Sequence, residues 1–140
     1  MSNKNYNELI QDRVFIGGAD DVNDVLKNEN VDVILDLRAE VPEVDYNRVH
    51  SPIFDDGEHQ DESIQKSIKH VVNAYNEGKK IYFHCGGGSG RTGTIAVGTL
   101  LSLGMAKTIE EAEAIAKEAR PKIKVKPEMK NSLKRLFPNA

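Results

Sequence analysis

The chain holds one cysteine, Cys85, and its neighbours are the residue types that covalent phosphate chemistry needs. His84 precedes it; Gly86, Gly87, Gly88, Ser89 and Gly90 follow, then Arg91, Thr92 and Gly93. A thiolate is a strong nucleophile, and a helix N-terminus and a nearby cation both favour the charged sulfur. The N–H groups of a glycine-rich loop can converge on an anion, and a helix dipole adds positive potential. The planar fork of Arg91 can grip two phosphate oxygens, which a lysine could not do. Thr92 is placed to offer its hydroxyl to the sulfur, and it can cap the helix at the same time. Gly86, Gly87, Gly88, Ser89, Gly90 and Arg91 are therefore the candidate phosphate-binding residues, with Cys85 as nucleophile.

A free cysteine is also a common inert core residue, and glycines also make plain turns. Neither role would require an arginine at the end of the loop. The elements on either side favour the chemical reading. Ile81 to His84 is an apolar, aromatic run of the kind that forms a buried strand. Thr94 to Leu103 is uncharged, as a buried helix would be. A zinc site using His84 and Cys85 lacks further ligands at suitable spacing, so no metal and no cofactor are expected.

The rest of the chain reads as alternating strands and helices. Arg13 to Gly17 predicts a first strand, and Asp20 or Asp21 can cap a short helix carrying Val22, Val25 and Leu26. Val31 to Leu37 is β-branched and apolar, which predicts an interior strand. Val49 to Phe54 predicts a third, with Pro52 marking an edge or an end. Asp61 to Glu77 predicts a helix capped by Asp61, with Ile64, Ile68, Val71 and Tyr75 on one face and Gly78 as its stop. After the Cys85 loop and its helix, Thr108 and Glu111 form a capping box for a helix that Pro121 ends. Pro127 opens a last helix with Met129, Leu133, Leu136 and Phe137 inward. The expected fold is α/β: a central, largely parallel sheet of four to five strands flanked by helices, with the ligand crevice beyond the strands' carboxyl ends.

The run His84-Cys85, five residues, Arg91-Thr92 resembles the signature loop of the cysteine-dependent protein phosphatases, and Gly88 and Gly93 fit its longer form. The Val-Phe-Ile-Gly-Gly segment, the Val-Ile-Leu-Asp-Leu-Arg strand end and the Ala-Arg-Pro after the loop helix extend the resemblance from about Arg13 to Phe137. The compact dual-specificity and tyrosine phosphatases have this architecture. In that family the histidine before the cysteine holds the loop by hydrogen bonding, which is the role implied for His84. A mobile loop some thirty residues upstream carries the acid. His50-Ser-Pro-Ile-Phe-Asp55-Asp56-Gly57 is similar to the matching run of the kinase-associated phosphatase type, which implies Asp55 as the proton donor, ahead of Asp56 and then Glu58.

At 140 residues the chain is expected to be one domain, residues 1–140, with room for a core. One cysteine rules out an internal disulfide and points to a reducing, cytoplasmic setting. No apolar run reaches membrane-spanning length. The net charge of −3 conceals an asymmetry: residues 1–63 carry 16 acidic and 5 basic side chains, residues 117–135 carry 8 basic and 2 acidic. With no aromatic interleaving, the basic end reads as a solvated face or a rim for phosphorylated substrates rather than a nucleic-acid surface. The sequence leaves the oligomeric state open.

The expected partner is thus a phosphorylated protein or peptide, hydrolysed at phosphotyrosine or at phosphoserine and phosphothreonine through a phosphocysteine. Two alternatives stand beside it. A phosphoinositide or inositol-phosphate phosphatase would use the same loop, although lipid-directed members carry lysines where this chain has Gly86, Gly87 and Ser89. A phosphate-binding pseudophosphatase would use the cradle without the chemistry.

Overall fold

The computed structural model describes the 140-residue chain except residues 1–4, 42–43, 45–46 and 55–58. The described residues form five strands: β1 (Asn7–Ile10), β2 (Val14–Gly18), β3 (Val33–Asp36), β4 (Val49–His50) and β5 (Ile81–Cys85). Among the same residues are five α-helices: α1 (Val22–Glu29), α2 (Gln60–Asn76), α3 (Gly90–Ser102), α4 (Ile109–Ala119) and α5 (Pro127–Leu136). The sheet order is β1-β2-β5-β3-β4. The β2–β5, β5–β3 and β3–β4 pairs are parallel, and β1 joins β2 antiparallel. The α/β architecture expected from the sequence is the one found.

The middle position of β5 follows from its composition. Ile81, Tyr82, Phe83, His84 and Cys85 are all buried, so the strand needs cover on both faces and partners on both edges. Ile81, Phe83 and Cys85 join the larger core with Ile95, Val97, Leu100 and residues of α2, α4 and α5. Tyr82 turns to the other face, where Tyr6, Phe15, Val22, Val25 and Ile34 form a smaller cluster. Fully burying one such side chain contributes about 1.5–3 kcal/mol. The strand that ends in Cys85 is therefore among the best-anchored parts of the molecule.

Helix α3 is buried along nearly its whole length. At Gly98 it meets α2 so closely that a Cβ would lie 2.2 Å from Ile68 Cδ1. Helix α4 is capped as the sequence predicts, with Thr108 Oγ1 accepting from the Glu111 N–H at 3.0 Å. Pro127 occupies the first turn of α5, where its missing N–H costs nothing.

Four local expectations need correction. The sequence pattern does not predict β1, which stands on the edge with only partial burial. The strand expected over Val49–Phe54 shrinks to Val49–His50, because β3 is its one neighbour among the described residues and Pro52 follows closely. Helix α2 starts at Gln60 with His59 at the cap; Asp61 lies in the first turn and pairs with Arg135 at 2.6 Å instead of capping. In α1, Val22 and Val25 are buried but Leu26 is exposed. That helix begins after a short 3-10 turn, Ala19–Asp21, where Asp21 Oδ2 accepts from the Gly18 N–H.

Candidate active site

Cys85 is the last residue of β5, level with Gly18 of β2, so the sheet register sets the height of the sulfur. The side chain is buried but borders a cleft of about 300 Å³ lined also by Gly86, Ser89, Gly90, Arg91, Lys126 and Met129. This cleft lies beyond the carboxyl end of the strand, where open α/β sheets place ligands. Thr92, in the first turn of α3, donates its hydroxyl to Cys85 Sγ at 3.1 Å. Gly17 O, at 3.4 Å, is that hydroxyl's other acceptor.

The loop from Gly86 to Ser89 has its carbonyls tied outward. Gly86 O accepts from the Ala19 N–H at 3.0 Å. Gly87 O and Gly88 O accept from the Arg120 guanidinium, at 3.2 and 2.8 Å. Ser89 O accepts from the N–H groups of Gly93 and Lys124. In a planar trans peptide the next residue's N–H points opposite to the carbonyl. Four carbonyls held on the outside therefore turn the N–H groups of Gly87, Gly88, Ser89 and Gly90 towards the cleft. This is the geometry of a backbone anion site.

Gly88 makes the turn possible. Its φ is +73°, and a Cβ there would lie 2.5 Å from Gly17 C, 2.6 Å from Gly17 O and 2.7 Å from Arg120 Nη2. Gly86 and Gly87 have open space where a Cβ would stand.

Arg91 Nη1 donates to Glu40 Oε1 at 2.8 Å, so the guanidinium is held from the loop that follows β3. The Glu40 carboxyl sits below its usual range, first through its own backbone N–H and then through Arg91. It stays ionised at mildly acidic pH. His84 is fully buried, stacked on Tyr82 with ring centroids 5.5 Å apart. Its Nδ1–H donates to the Cys85 carbonyl at 3.1 Å. Burial lowers its basicity below the ordinary histidine value.

Behind the site, Asp36 lies level with His84 across the β3–β5 pair. Arg38 grips both carboxylate oxygens at 3.0 and 2.8 Å, and Arg48 adds a bond at 2.6 Å. Burial alone would raise the Asp36 pKa, but the two arginines hold it at about 2.

The structure thus gathers Cys85, Gly86, Ser89, Gly90 and Arg91 around one cleft, with Thr92 on the sulfur and His84 in the strand behind. Asp55, Asp56 and Glu58 lie outside the described residues. Sequence reading missed three contributors: Glu40, Arg120 and Lys126. In the sequence Arg120 is visible only within the Ala-Arg-Pro match and Lys126 only within a basic stretch, neither of which signals a place at the site. Among the described residues no three His, Cys, Asp or Glu side chains gather as a metal site.

The family model for the dual specificity phosphatase catalytic domain matches residues 14–137. The chain belongs to that family. The domain is that of a cysteine-dependent phosphatase, and its substrate is phosphorylated. Among solved structures, Tk-PTP in its active form is 22% identical, with a TM-score of 0.78 over 99% of this chain and 100% of that one. Human DUSP28 is 16% identical, with a TM-score of 0.79 over 98% and 95%. PTPMT1, solved in complex with PI(5)P, is 16% identical, with a TM-score of 0.78 over 96% and 95%. At these identities the structural likeness extends to the fold. None of the curated proteins matches the sequence. No helix among the described residues of this phosphatase domain is long and apolar enough to cross a membrane.

Proposed function

We propose that this domain hydrolyses phosphomonoesters on proteins, phosphotyrosine foremost and phosphoserine and phosphothreonine as well, through a phosphocysteine on Cys85. The thiolate attacks phosphorus as the bond to the leaving oxygen breaks, and Asp55 gives that oxygen its proton. Water then attacks the phosphocysteine, Asp55 takes the water's proton, and inorganic phosphate leaves with Cys85 restored. Arg91 and the loop N–H groups carry the charge that spreads over the phosphoryl oxygens. The Thr92 hydroxyl stabilises the sulfur as it departs, and His84 holds the loop from below. The proposed working unit is the single domain, residues 1–140, in a reducing cytoplasmic setting that keeps its lone thiol usable.

The observation that carries this reading is the cradle itself: a sulfur bonded by Thr92, beneath a loop whose carbonyls all face away. A pure binding module would need the cradle but not the hydroxyl on the sulfur. An inositol-phosphate substrate is the competing reading, supported by the fold likeness to PTPMT1. Against it, Gly86, Gly87 and Ser89 bring no charge into the loop. The test is phosphate release from phosphopeptides and inositol phosphates assayed side by side. Activity should favour phosphopeptides and vanish in Cys85→Ser. Release that survives in Cys85→Ser would overturn the mechanism, and exclusive cleavage of inositol phosphates would overturn the substrate class.

A further inference from the structure

Between α4 and α5 the chain runs along the rim of the site. In this stretch burial alternates: Ile123 and Val125 are buried, while Lys122, Lys124 and Lys126 are exposed. The pattern has the period of an extended segment that covers a core with one face. It is fixed to the catalytic loop by the Lys124 N–H, which donates to Ser89 O at 3.2 Å. Lys126 then lies over the start of α3, its Cε 4.0 Å from where a Cβ on Gly90 would stand, and it lines the cleft with Cys85 and Arg91.

The charge on this rim is available. Lys130 is paired with Glu113 at 3.1 Å and Arg135 with Asp61 at 2.6 Å. Lys122, Lys124 and Lys126 make no ion pair among the described residues. On the other wall the charges are paired, because Glu40 is bonded to Arg91 at 2.8 Å. A phosphoryl group seated over Cys85 would therefore have the lysine charges on its α5 side and a mutually compensated Arg91–Glu40 pair on its β3 side. Such a field discriminates between neighbours of the phosphorylated residue.

We infer that Lys126, supported by Lys124, forms a second anion subsite beside the phosphate cradle, and that the preferred substrates are phosphopeptides with a carboxylate side chain next to the phosphorylated residue. This rests on the protein-phosphatase reading above. Successive residues of a peptide are about 3.8 Å apart, so a flanking acid falls within the swing of a lysine side chain. An exposed contact of this kind is worth less than about 1 kcal/mol, which corresponds to a preference of about five-fold. The preference weakens with salt.

The test compares kcat/KM on two phosphotyrosyl peptides that differ only in carrying Glu or Gln beside the phosphotyrosine. The wild type should favour the Glu peptide about five-fold. The ratio should fall to about one in Lys126→Ala, invert in Lys126→Glu and return in Lys126→Arg. Lys107→Ala, in the α3–α4 connection, should leave it unchanged. A ratio is insensitive to how much of a variant is folded. Equal turnover of the two peptides by the wild type, or a ratio that Lys126→Glu does not move, overturns the subsite alone. Failure on both peptides with continued cleavage of a small aryl phosphate overturns the protein-phosphatase reading and the subsite's occupant together. So does Lys126-dependent cleavage of an inositol phosphate run in parallel without peptide turnover.

Discussion

At the scale of single residues, the contact between Arg91 and Glu40 decides how the cation is presented. Glu40 accepts from Arg91 Nη1 and so fixes how the planar guanidinium faces the cleft. Because its folded pKa lies below the usual value of 4.5, the contact is present above that value and fades only as pH falls beneath it. Glu40→Gln should therefore lower kcat/KM on a small aryl phosphate by roughly ten-fold, carried by KM, and weaken inhibition by inorganic phosphate in parallel. Tighter phosphate binding in the variant would mean that Glu40 competes with the substrate instead of orienting Arg91. The proposed proton donor, Asp55, is tested in the same assay. Asp55→Asn should remove the alkaline limb of a bell-shaped pH profile, where the donor loses its proton, and cost roughly 100-fold in kcat, with Asp56→Asn costing far less. Equal, small effects from the two would remove the assignment. Cys85, Arg91 and Thr92 were legible from sequence because they are neighbours in the chain and their spacing is the motif. Glu40 was not, because it lies 51 residues before its partner and a lone loop glutamate carries no local signal.

At the scale of elements, the back of the cradle is held by a residue from the end of α4. Arg120 is buried, and its guanidinium bonds Gly87 O, Gly88 O, the Asn5 carbonyl and Asn7 Oδ1. It thereby ties the catalytic loop to β1, whose presence the sequence did not announce. Asn7–Ile10 is short, half-exposed and antiparallel at the edge, so no alternation or apolar run marks it. By contrast α2, α4 and α5 were legible, since each buries a regular stripe and has a proline, glycine or capping residue at an end. A lysine in place of Arg120 can bond one loop carbonyl but not both. Arg120→Lys should lower kcat by roughly 10–100-fold at a temperature where the protein is folded, and cost about 2 kcal/mol of stability from carbonyls left unpaired. Stability loss with unchanged kcat would make Arg120 a core residue only. Gly88→Ala probes the same wall from the other side. Positive φ and contact with Gly17 both oppose the methyl group, so unfolding free energy should drop by about 2–4 kcal/mol, whereas Gly86→Ala should stay within about 0.5 kcal/mol. Similar values for the two, measured by urea denaturation, would show that the loop can take another path.

At the scale of the whole molecule, the polar groups behind the site set how acidic a medium the fold tolerates. Asp36 and His84 sit side by side on β3 and β5, and both have pKa values lowered in the folded state. For Asp36 the folded value of about 2 lies below the unfolded 3.8, so its contribution is complete above 3.8 and is lost as pH falls towards 2. For His84 burial lowers the value from 6.5, so protons favour the unfolded chain once pH drops below 6.5. The thermal midpoint should hence be level above about pH 7, decline gently below 6.5 and fall steeply below 4. Asp36→Asn removes the carboxylate from two arginines that are themselves largely buried. It should cost about 3 kcal/mol near neutrality and flatten the steep limb below pH 4, because the group that must be protonated there is gone. Midpoint curves measured by circular dichroism that run parallel for wild type and Asp36→Asn below pH 4 would place the acid sensitivity elsewhere. The gap between the two limbs matters for catalysis. A mechanism that needs an ionised cysteine and a protonated aspartate works best in mild acid, and that range lies above the pH at which the Asp36 network opens.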